Sequence, residues 1–375
     1  MATSPEDDRR WMLEAVAAGA PFRGKCSPNP PVGCVLVKDG ICVGRGGHKK
    51  AGGPHAEVEA IRSCADPRGA TAYVTLEPCN HHGRTGPCVS ALLDAGVSRV
   101  VVGVPDPNPG VAGGGSQALR DQGIEVLENV AVQECEELMA PFLKGCRTGM
   151  PYVTVKMAST LDGRVGDPRG SQVWLTGEEA KAQVHGYRDR VDAILVGSGT
   201  VLSDDPQLTT RLPDGLKGHQ PLRVILDRRL RVPLTSGVVK TAREVPTRVY
   251  TSEAAPQAGV EALRESGVEV RLAGAEGMTN GQDFLEWVLR DLAREGCQHV
   301  WNEGGPELAA ALFAGQWVDE VVWYLSMSLG GAPFMPALTG VVTEDLCARP
   351  KLDQVNAEWV GRDLRISGKV KGRQE

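Results

Sequence analysis

No run of this chain comes near the roughly 18 consecutive apolar residues that a membrane-spanning helix needs. It also opens Met-Ala-Thr-Ser-Pro-Glu-Asp-Asp, without a cationic and apolar leader. A soluble, cytoplasmic protein with no membrane partner is therefore expected. Basic charge is in deficit too, since 41 Lys and Arg stand against 47 Asp and Glu, a net charge of −6. Proteins that bind polynucleotides usually present a basic surface, so nucleic acid is not an expected partner. Neither internal repeats nor low-complexity segments stand out. What is present is globular: 375 residues, 41% hydrophobic and 23% charged, enough for two or three domains. Ten cysteines are scattered along that length and read as reduced thiols.

Two of those thiols belong to the most informative pattern. His55-Ala56-Glu57 is followed by Pro78-Cys79 and then Cys88, a set of one imidazole, two thiols and one spare carboxylate. Three N/S ligands leave the fourth tetrahedral position of Zn²⁺ open, whereas a structural site is closed by a fourth protein ligand. His55, Cys79 and Cys88 are thus candidate ligands of a catalytic zinc, and Glu57 is the candidate proton shuttle of a hydrolytic deaminase. Gly52-Gly53-Pro54 breaks the chain before a helical stretch, which places His55 and Glu57 in its first turn. Thr71 to Leu76 reads as a strand, and Cys88 opens a helix. The usual deaminase spacing is Pro-Cys-x-x-Cys, but here eight residues, 80–87, separate the cysteines.

Around this motif the first part of the chain alternates helix and strand. A helix near Trp11 to Ala18 precedes strands Val32 to Lys38 and Ile41 to Gly44, joined by the hairpin dipeptide Asp39-Gly40. Strand Val97 to Val104 and a helix at Val132 to Leu143 follow. The pattern is that of an α/β layered domain with a mixed sheet, ending near residues 147–151. In the second part, Tyr152 to Lys156, Val191 to Val196, Leu222 to Leu226, Arg248 to Thr251, Val300-Trp301 and Val321 to Leu325 read as strands separated by helices. Gly197-Ser198-Gly199-Thr200 and Glu303-Gly304-Gly305-Pro306 follow strands and lead into helices, an arrangement that lets backbone N–H groups approach a phosphate. A nucleotide cofactor is suggested. Two other readings stay open on these residues alone: a deaminase of free nucleosides or bases whose second domain only binds, and a nucleotide-sensing regulatory protein without turnover.

Ser27-Pro28-Asn29-Pro30-Pro31-Val32-Gly33, Pro54-His55-Ala56-Glu57, Thr75-Leu76-Glu77-Pro78-Cys79-Asn80-His81-His82-Gly83-Arg84-Thr85 and Asp106-Pro107-Asn108-Pro109 together resemble the bifunctional pyrimidine deaminase/reductase of riboflavin biosynthesis. The resemblance implies a cytidine deaminase-like mixed-sheet domain over residues 1–147 and a dihydrofolate reductase-like domain over 148–375. The long loop between the cysteines is a mark of that family. It further implies Zn²⁺ and NADPH as cofactors and a small phosphoribosyl-pyrimidine substrate, and a homo-oligomer is expected. Hydrolytic deamination of 2,5-diamino-6-(5-phospho-D-ribosylamino)pyrimidin-4(3H)-one would be followed by NADPH reduction of the ribosyl group to ribityl.

Carried onto matching positions, Asn29, His48 and Arg84 would contact the deaminase substrate. Lys156, Arg188, Leu208, Arg211 and Glu303 would face the reductase substrate. Ser159, Trp174, Thr200, Asp204, Gly305, Pro306, Glu307, Leu308, Ala309, Ala310 and Ala311 would line the NADPH site. The chain departs from the family pattern at Gly86 in Thr85-Gly86-Pro87-Cys88, at Arg228 in Asp227-Arg228-Arg229, and at Ser326-Met327-Ser328-Leu329-Gly330-Gly331.

Overall fold

The computed structural model describes residues 4–80, 86–108, 114–166, 174–213, 218–274, 280–340, 342 and 345–371. The chain divides into two compact units, Met1–Met150 and Pro151–Glu375. The helix that ends the first unit runs to Thr148, five residues beyond the expected Leu143, and stops where Gly149 takes a left-handed φ of 65°.

The first unit contains α1 (Pro5–Gly19), β1 (Gly33–Lys38), β2 (Ile41–Gly47), α2 (Ala56–Arg62), β3 (Thr71–Leu76), α3 (Cys88–Asp94), β4 (Arg99–Val104), α4 (Gly115–Asp121), β5 (Glu125–Leu127) and α5 (Val132–Thr148). The strands lie in the order β2-β1-β3-β4-β5. β1 is antiparallel to β2 and β3, whereas β3, β4 and β5 run parallel, so the sheet is mixed. Alternation along the strands assigns the faces. Val35, Val37, Tyr73 and Val101 pack with Trp11, Met12 and Ala15 of α1 and with Leu138, Met139 and Phe142 of α5. Cys34, Leu36, Ala72, Val74, Val100 and Val102 pack with Ala56 and Ala60 of α2, Val89 and Leu92 of α3 and Leu119 of α4. The unit is thus a three-layer α/β/α sandwich. The Asp39-Gly40 hairpin forms as expected, with both residues at positive φ, 51° and 74°. α1 begins earlier than its apolar pattern suggested, because Ser4 and Asp7 form a capping box and Pro5 occupies the first turn.

The second unit contains β6 (Tyr152–Thr160), β7 (Arg164–Gly166), α6 (Glu178–Arg188), β8 (Ala193–Gly197), α7 (Ser198–Asp204), β9 (Leu222–Leu226), α8 (Gly237–Lys240), β10 (Thr247–Ser252), α9 (Gln257–Glu265), β11 (Glu269–Ala273), α10 (Gly281–Arg294), β12 (His299–Asn302), α11 (Pro306–Ala314), β13 (Glu320–Ser326), β14 (Met335–Pro336), β15 (Lys351–Val360) and β16 (Asp363–Lys371). Nine strands form one sheet in the order β11-β10-β9-β8-β12-β6-β13-β16-β15. The run from β11 to β13 is parallel, and β16 and β15 close it with antiparallel pairing. On one face Ile194, Val196, Ile225, Val249, Trp301 and Tyr324 share a core with α6, α7, α8 and α9. On the other, Tyr250 meets Trp287 of α10 edge to face at 5.5 Å and its hydroxyl donates to Asp291 at 2.8 Å.

Arg223, on β9, is fully buried, and among the described residues no carboxylate pairs with it. It is satisfied instead by neutral oxygens, among them the Gln207 carbonyl at 3.0 Å, Thr241 Oγ1 at 2.8 Å and the Val238 and Val245 carbonyls, each at 3.0 Å. Burial pulls its pKa down to about 10. The bonds fix the segment from Gln207 onward, which carries Leu208 and Arg211.

Candidate active sites

In the first unit, His55 is the N-cap of α2 rather than part of its first turn, with extended backbone at φ −72° and ψ 164°. The expectation of a shared turn is corrected on that point. The extended residue turns its side chain out of the helical path, while Glu57 follows inside the first turn. β3 ends at Leu76 and delivers Cys79, and Cys88 is the first residue of α3. His55 Nδ1 then lies 3.2 Å from Cys88 Sγ and 3.5 Å from Cys79 Sγ. All three candidate ligand atoms fall within 4.8 Å of one another. A tetrahedral zinc with ordinary Zn–S and Zn–N bonds separates its ligand atoms by about 3.5–3.8 Å. The donor set fits that ion, with Nδ1 as the imidazole ligand.

The electrostatics agree. A hydrogen bond from Cys88 and the neighbouring His55 hold Cys79 at about 4, and the Cys88 backbone N–H also donates to its sulfur at 3.4 Å. The facing Cys79, together with burial, pushes Cys88 upward. Two thiolates this close repel unless a cation lies between them. Glu57 is almost wholly buried, and that burial raises its carboxyl above the usual carboxylate range.

His55, Glu57 and Cys79 open onto a cavity of about 430 Å³, whose wall also includes Asn29, His48, Glu77, Asp106 and Asn108. His48 is buried, and its Nδ1 donates to the Pro54 carbonyl at 2.9 Å. Its Nε2 therefore accepts from the Asn29 amide nitrogen at 3.0 Å. Burial lowers the His48 pKa, which keeps the ring neutral and preserves this arrangement. The pair thus presents the Asn29 amide oxygen as an acceptor, and His48 acts through Asn29. Arg84 lies outside the described residues. Glu77, Asp106 and Asn108 lie in the motifs that carry the family resemblance, but the sequence alone gives them no place at the site. The available signal was their position at the ends of β3 and β4, where ligands of α/β sheets gather.

In the second unit, Arg188 at the end of α6 grips Glu303, which follows β12, through paired bonds of 2.7 Å. The Trp301 indole N–H donates to the same carboxylate at 2.9 Å. Burial would raise Glu303, but Arg188, Lys156 and Trp301 hold it at about 2. Burial also lowers the Lys156 ammonium, which feels Glu303 and Arg188. Arg211 is exposed and bonds to Gln207 Oε1 at 3.0 Å and Thr209 Oγ1 at 2.7 Å, within the influence of Arg188 and Glu303. Leu208 is buried in the core with a left-handed φ of 51°, so only its backbone is offered to a ligand.

The residues expected around the cofactor divide. At Gly199 and Gly305 a Cβ would meet nothing within 4 Å, and neither Gly197 nor Gly305 gives its helix a side-chain cap. The first N–H groups of α11 therefore have no side-chain partner there, and this fits an anionic group such as a pyrophosphate. Thr200 and Asp204 lie on α7, with Asp204 exposed, and Trp174 is exposed beneath Lys181 Nζ, 4.2 Å from its ring centroid. Pro306, Glu307 and Leu308 occupy the first turn of α11, while Ala309 and Ala310 are buried and Ala311 is partly so. Helical periodicity turns part of that run inward. Ser159 is fully buried, accepting from the Trp323 indole at 2.8 Å and donating to the Thr160 carbonyl at 2.9 Å, so its hydroxyl proton is already used. Arg228 is exposed at the end of β9. Gly330 and Gly331 donate to the Asp162 carboxylate at 2.8 and 2.7 Å, which anchors the departing 326–331 segment.

Fold and sites together define a two-domain enzyme: a zinc-dependent deaminase followed by an NADPH-dependent reductase. Residues 5–104 match the cytidine and deoxycytidylate deaminase zinc-binding region, and residues 151–366 match the RibD C-terminal domain. The riboflavin biosynthesis protein RibD of Actinobacillus pleuropneumoniae is 38% identical over 361 residues, covering 96% of this chain and 94% of its own. That of Escherichia coli K12 is 38% identical, covering 93% of each. Among solved structures, Acinetobacter baumannii RibD superposes with a TM-score of 0.87 at 35% identity, covering 98% of this chain and all of its own. The Thermotoga maritima diaminohydroxyphosphoribosylaminopyrimidine deaminase/5-amino-6-(5-phosphoribosylamino)uracil reductase gives 0.85 at 35% identity, covering 98% and 99%. This chain belongs to the RibD family of bifunctional riboflavin biosynthesis enzymes, which deaminate and then reduce.

Proposed function

We propose that residues 1–147 hydrolyse the exocyclic amine of 2,5-diamino-6-(5-phospho-D-ribosylamino)pyrimidin-4(3H)-one, and that residues 148–375 reduce the ribosyl group of the product to ribityl. The observation that carries the first half is the convergence of His55 Nδ1 on both Cys79 and Cys88, at 3.5 and 3.2 Å, beside a buried Glu57. His55, Cys79 and Cys88 would hold Zn²⁺, which when bound would supply the Lewis acidity that brings the ionisation of water from about 15.7 to near neutral pH. Glu57 takes the proton from the attacking water and hands it to the departing amine, so that ammonia leaves. Its raised pKa suits both roles, since a shuttle must accept and release at similar cost. Asn29, oriented by His48, accepts from a ring N–H or amino group of the pyrimidine, and Arg84 is a further contact.

In the second domain Glu303 stays charged and is held rigidly by Arg188 and Trp301. With Lys156, Leu208 and Arg211 it binds and orients the substrate. Ser159, Trp174, Thr200, Asp204 and the run Gly305 to Ala311 line the cofactor site. NADPH supplies the hydride, a chemistry that belongs to the cofactor. The net charge of −6 supports a small-molecule partner rather than nucleic acid. No helix among the described residues is long and apolar enough to cross a membrane, which supports a cytoplasmic enzyme. Val355 and Trp359, 56% and 64% exposed on the edge strand β15, support a homo-oligomer.

A coupled assay with and without NADPH tests this reading. Ammonia release should not depend on NADPH, whereas NADPH oxidation should require the deaminated product. Oxidation of NADPH by the undeaminated substrate at an equal rate would overturn the order of steps.

A further inference from the structure

Glu77 follows β3 and precedes the turn that carries Cys79, and the main chain engages its carboxylate. The residue is 9% exposed and lines the cavity wall, and both carboxylate oxygens are occupied by main-chain donors. Oε1 accepts the Ser116 N–H at 3.0 Å, at the start of α4, and Oε2 accepts the Asp106 N–H at 3.3 Å, just past the end of β4. Asp106 Oδ1 in turn accepts the Asn108 N–H at 2.9 Å, which sets the turn that brings both residues to the cavity. The packing beside this carboxylate is equally tight. A Cβ on Gly115 would stand 1.8 Å from the Pro78 carbonyl oxygen. One residue therefore ties the ligand-bearing turn, the segment Asp106 to Asn108 and the start of α4 to a common point.

We propose that Glu77 is a positioning residue of the deaminase, holding Asp106 and Asn108 at a fixed distance from the His55, Cys79 and Cys88 cluster so that they meet the pyrimidine as it lies against Glu57. The proposal rests on the deaminase reading of this cavity. A carboxylate is required because two N–H groups converge on it and both need acceptors. Glutamine offers one oxygen, and its amide hydrogens would face the other N–H. A donor left unpaired in a buried place costs enough to shift the segment that carries it.

The test is Glu77→Gln in the full-length, zinc-loaded enzyme, with Gly115→Ala as a second variant that crowds α4 against Pro78 while leaving the carboxylate in place. For both, KM for the diaminopyrimidine should rise by about tenfold or more, the loss expected for one charge-assisted hydrogen bond, with a smaller fall in kcat. Zinc content and reduction of the pre-deaminated intermediate should hold, and in Glu77→Gln the Asp106 and Ser116 amides should exchange faster with solvent. An unchanged KM in Glu77→Gln overturns the proposal. So does a parallel loss of zinc, melting temperature and deamination in both variants, which would make Glu77 a support of the fold alone. If the wild-type enzyme released no ammonia, the deaminase reading itself would fall.

Discussion

Arg188 grips both oxygens of Glu303, Nε to Oε1 and Nη2 to Oε2, each at 2.7 Å, in a place where each side chain is only 11% exposed. The two residues are 115 positions apart in sequence, at the end of α6 and just past β12. A planar guanidinium matches a carboxylate with two parallel bonds, and Arg188 Nη1 also donates to the Thr209 carbonyl at 2.8 Å. The pair therefore fixes Glu303 and the segment that leads to Arg211 in one stroke.

This pair makes the reductase domain acid-sensitive in a defined window. Glu303 is held at about 2 when folded and titrates near 4.5 when unfolded, so between those values the unfolded chain binds the extra proton and acid favours unfolding. Its contribution is present above pH 4.5 and lost as pH falls toward 2. Acid unfolding followed by tryptophan fluorescence should show a steep loss of stability there, and in Glu303→Gln that part of the slope should flatten. An unchanged slope would mean that Glu303 is not charged in the folded protein.

Replacing Arg188 by lysine keeps the charge and removes the paired geometry. Arg188→Lys should lower reductase kcat/KM by about tenfold or more, because a point charge orients Glu303 less well. Ammonia release from the first domain should be unaffected, and the two rates measured on one preparation check this.

Lys156 is an ammonium lowered by burial beside Glu303, and Asp204 is the exposed last residue of α7, the helix that Gly197 opens. Lys156→Ala and Asp204→Ala should cut NADPH oxidation sharply while zinc content and ammonia release stay near wild type. Normal reduction in both variants would remove them from the reductase site.

Purified protein should hold about one zinc per chain, and Cys79→Ala or Cys88→Ala should lose both the metal and deamination. Metal analysis decides the matter. Full zinc occupancy in both variants would exclude these thiols from the ligand set.

Glu57→Gln retains shape and removes the base, and general acid–base catalysis is typically worth about 10²–10⁴-fold. Deamination should fall by that order with zinc still bound, and reduction of the pre-deaminated intermediate should survive. Loss of both reactions in folded, metal-loaded Glu57→Gln would contradict the division into two sites.

Much of the structure was legible along the chain because it is local. The turn Asp39-Gly40, the strand Thr71–Leu76, the helix opened by Cys88 and the proline at the start of α11 depend on backbone preferences within a few residues, and each formed where its residues indicated. The candidate ligands were legible for another reason, since a metal requires particular donor atoms and few side chains supply them. The hairpin β15–β16 was missed. Its first strand, Lys351–Val360, is exposed along most of its length and carries Asp, Gln, Asn and Glu, so neither alternation nor β-propensity marks it. It exists because β16 pairs with β13 and then offers β15 an edge.

The residue types by themselves determined which chemistry was available: an imidazole, two thiols, a spare carboxylate and glycines at strand-to-helix junctions. Only the tertiary structure decided how those groups are aimed. That His48 stays neutral follows from its burial, that its Nε2 is left to accept from Asn29 follows from the Pro54 carbonyl that takes its Nδ1 proton, and that Glu77 binds two backbone segments follows from where β4 and α4 return. That Glu303 stays charged in a buried place follows from an arginine 115 positions away. Hydrogen bonds act over about 3 Å in space without regard to separation along the chain, and folding alone sets those distances.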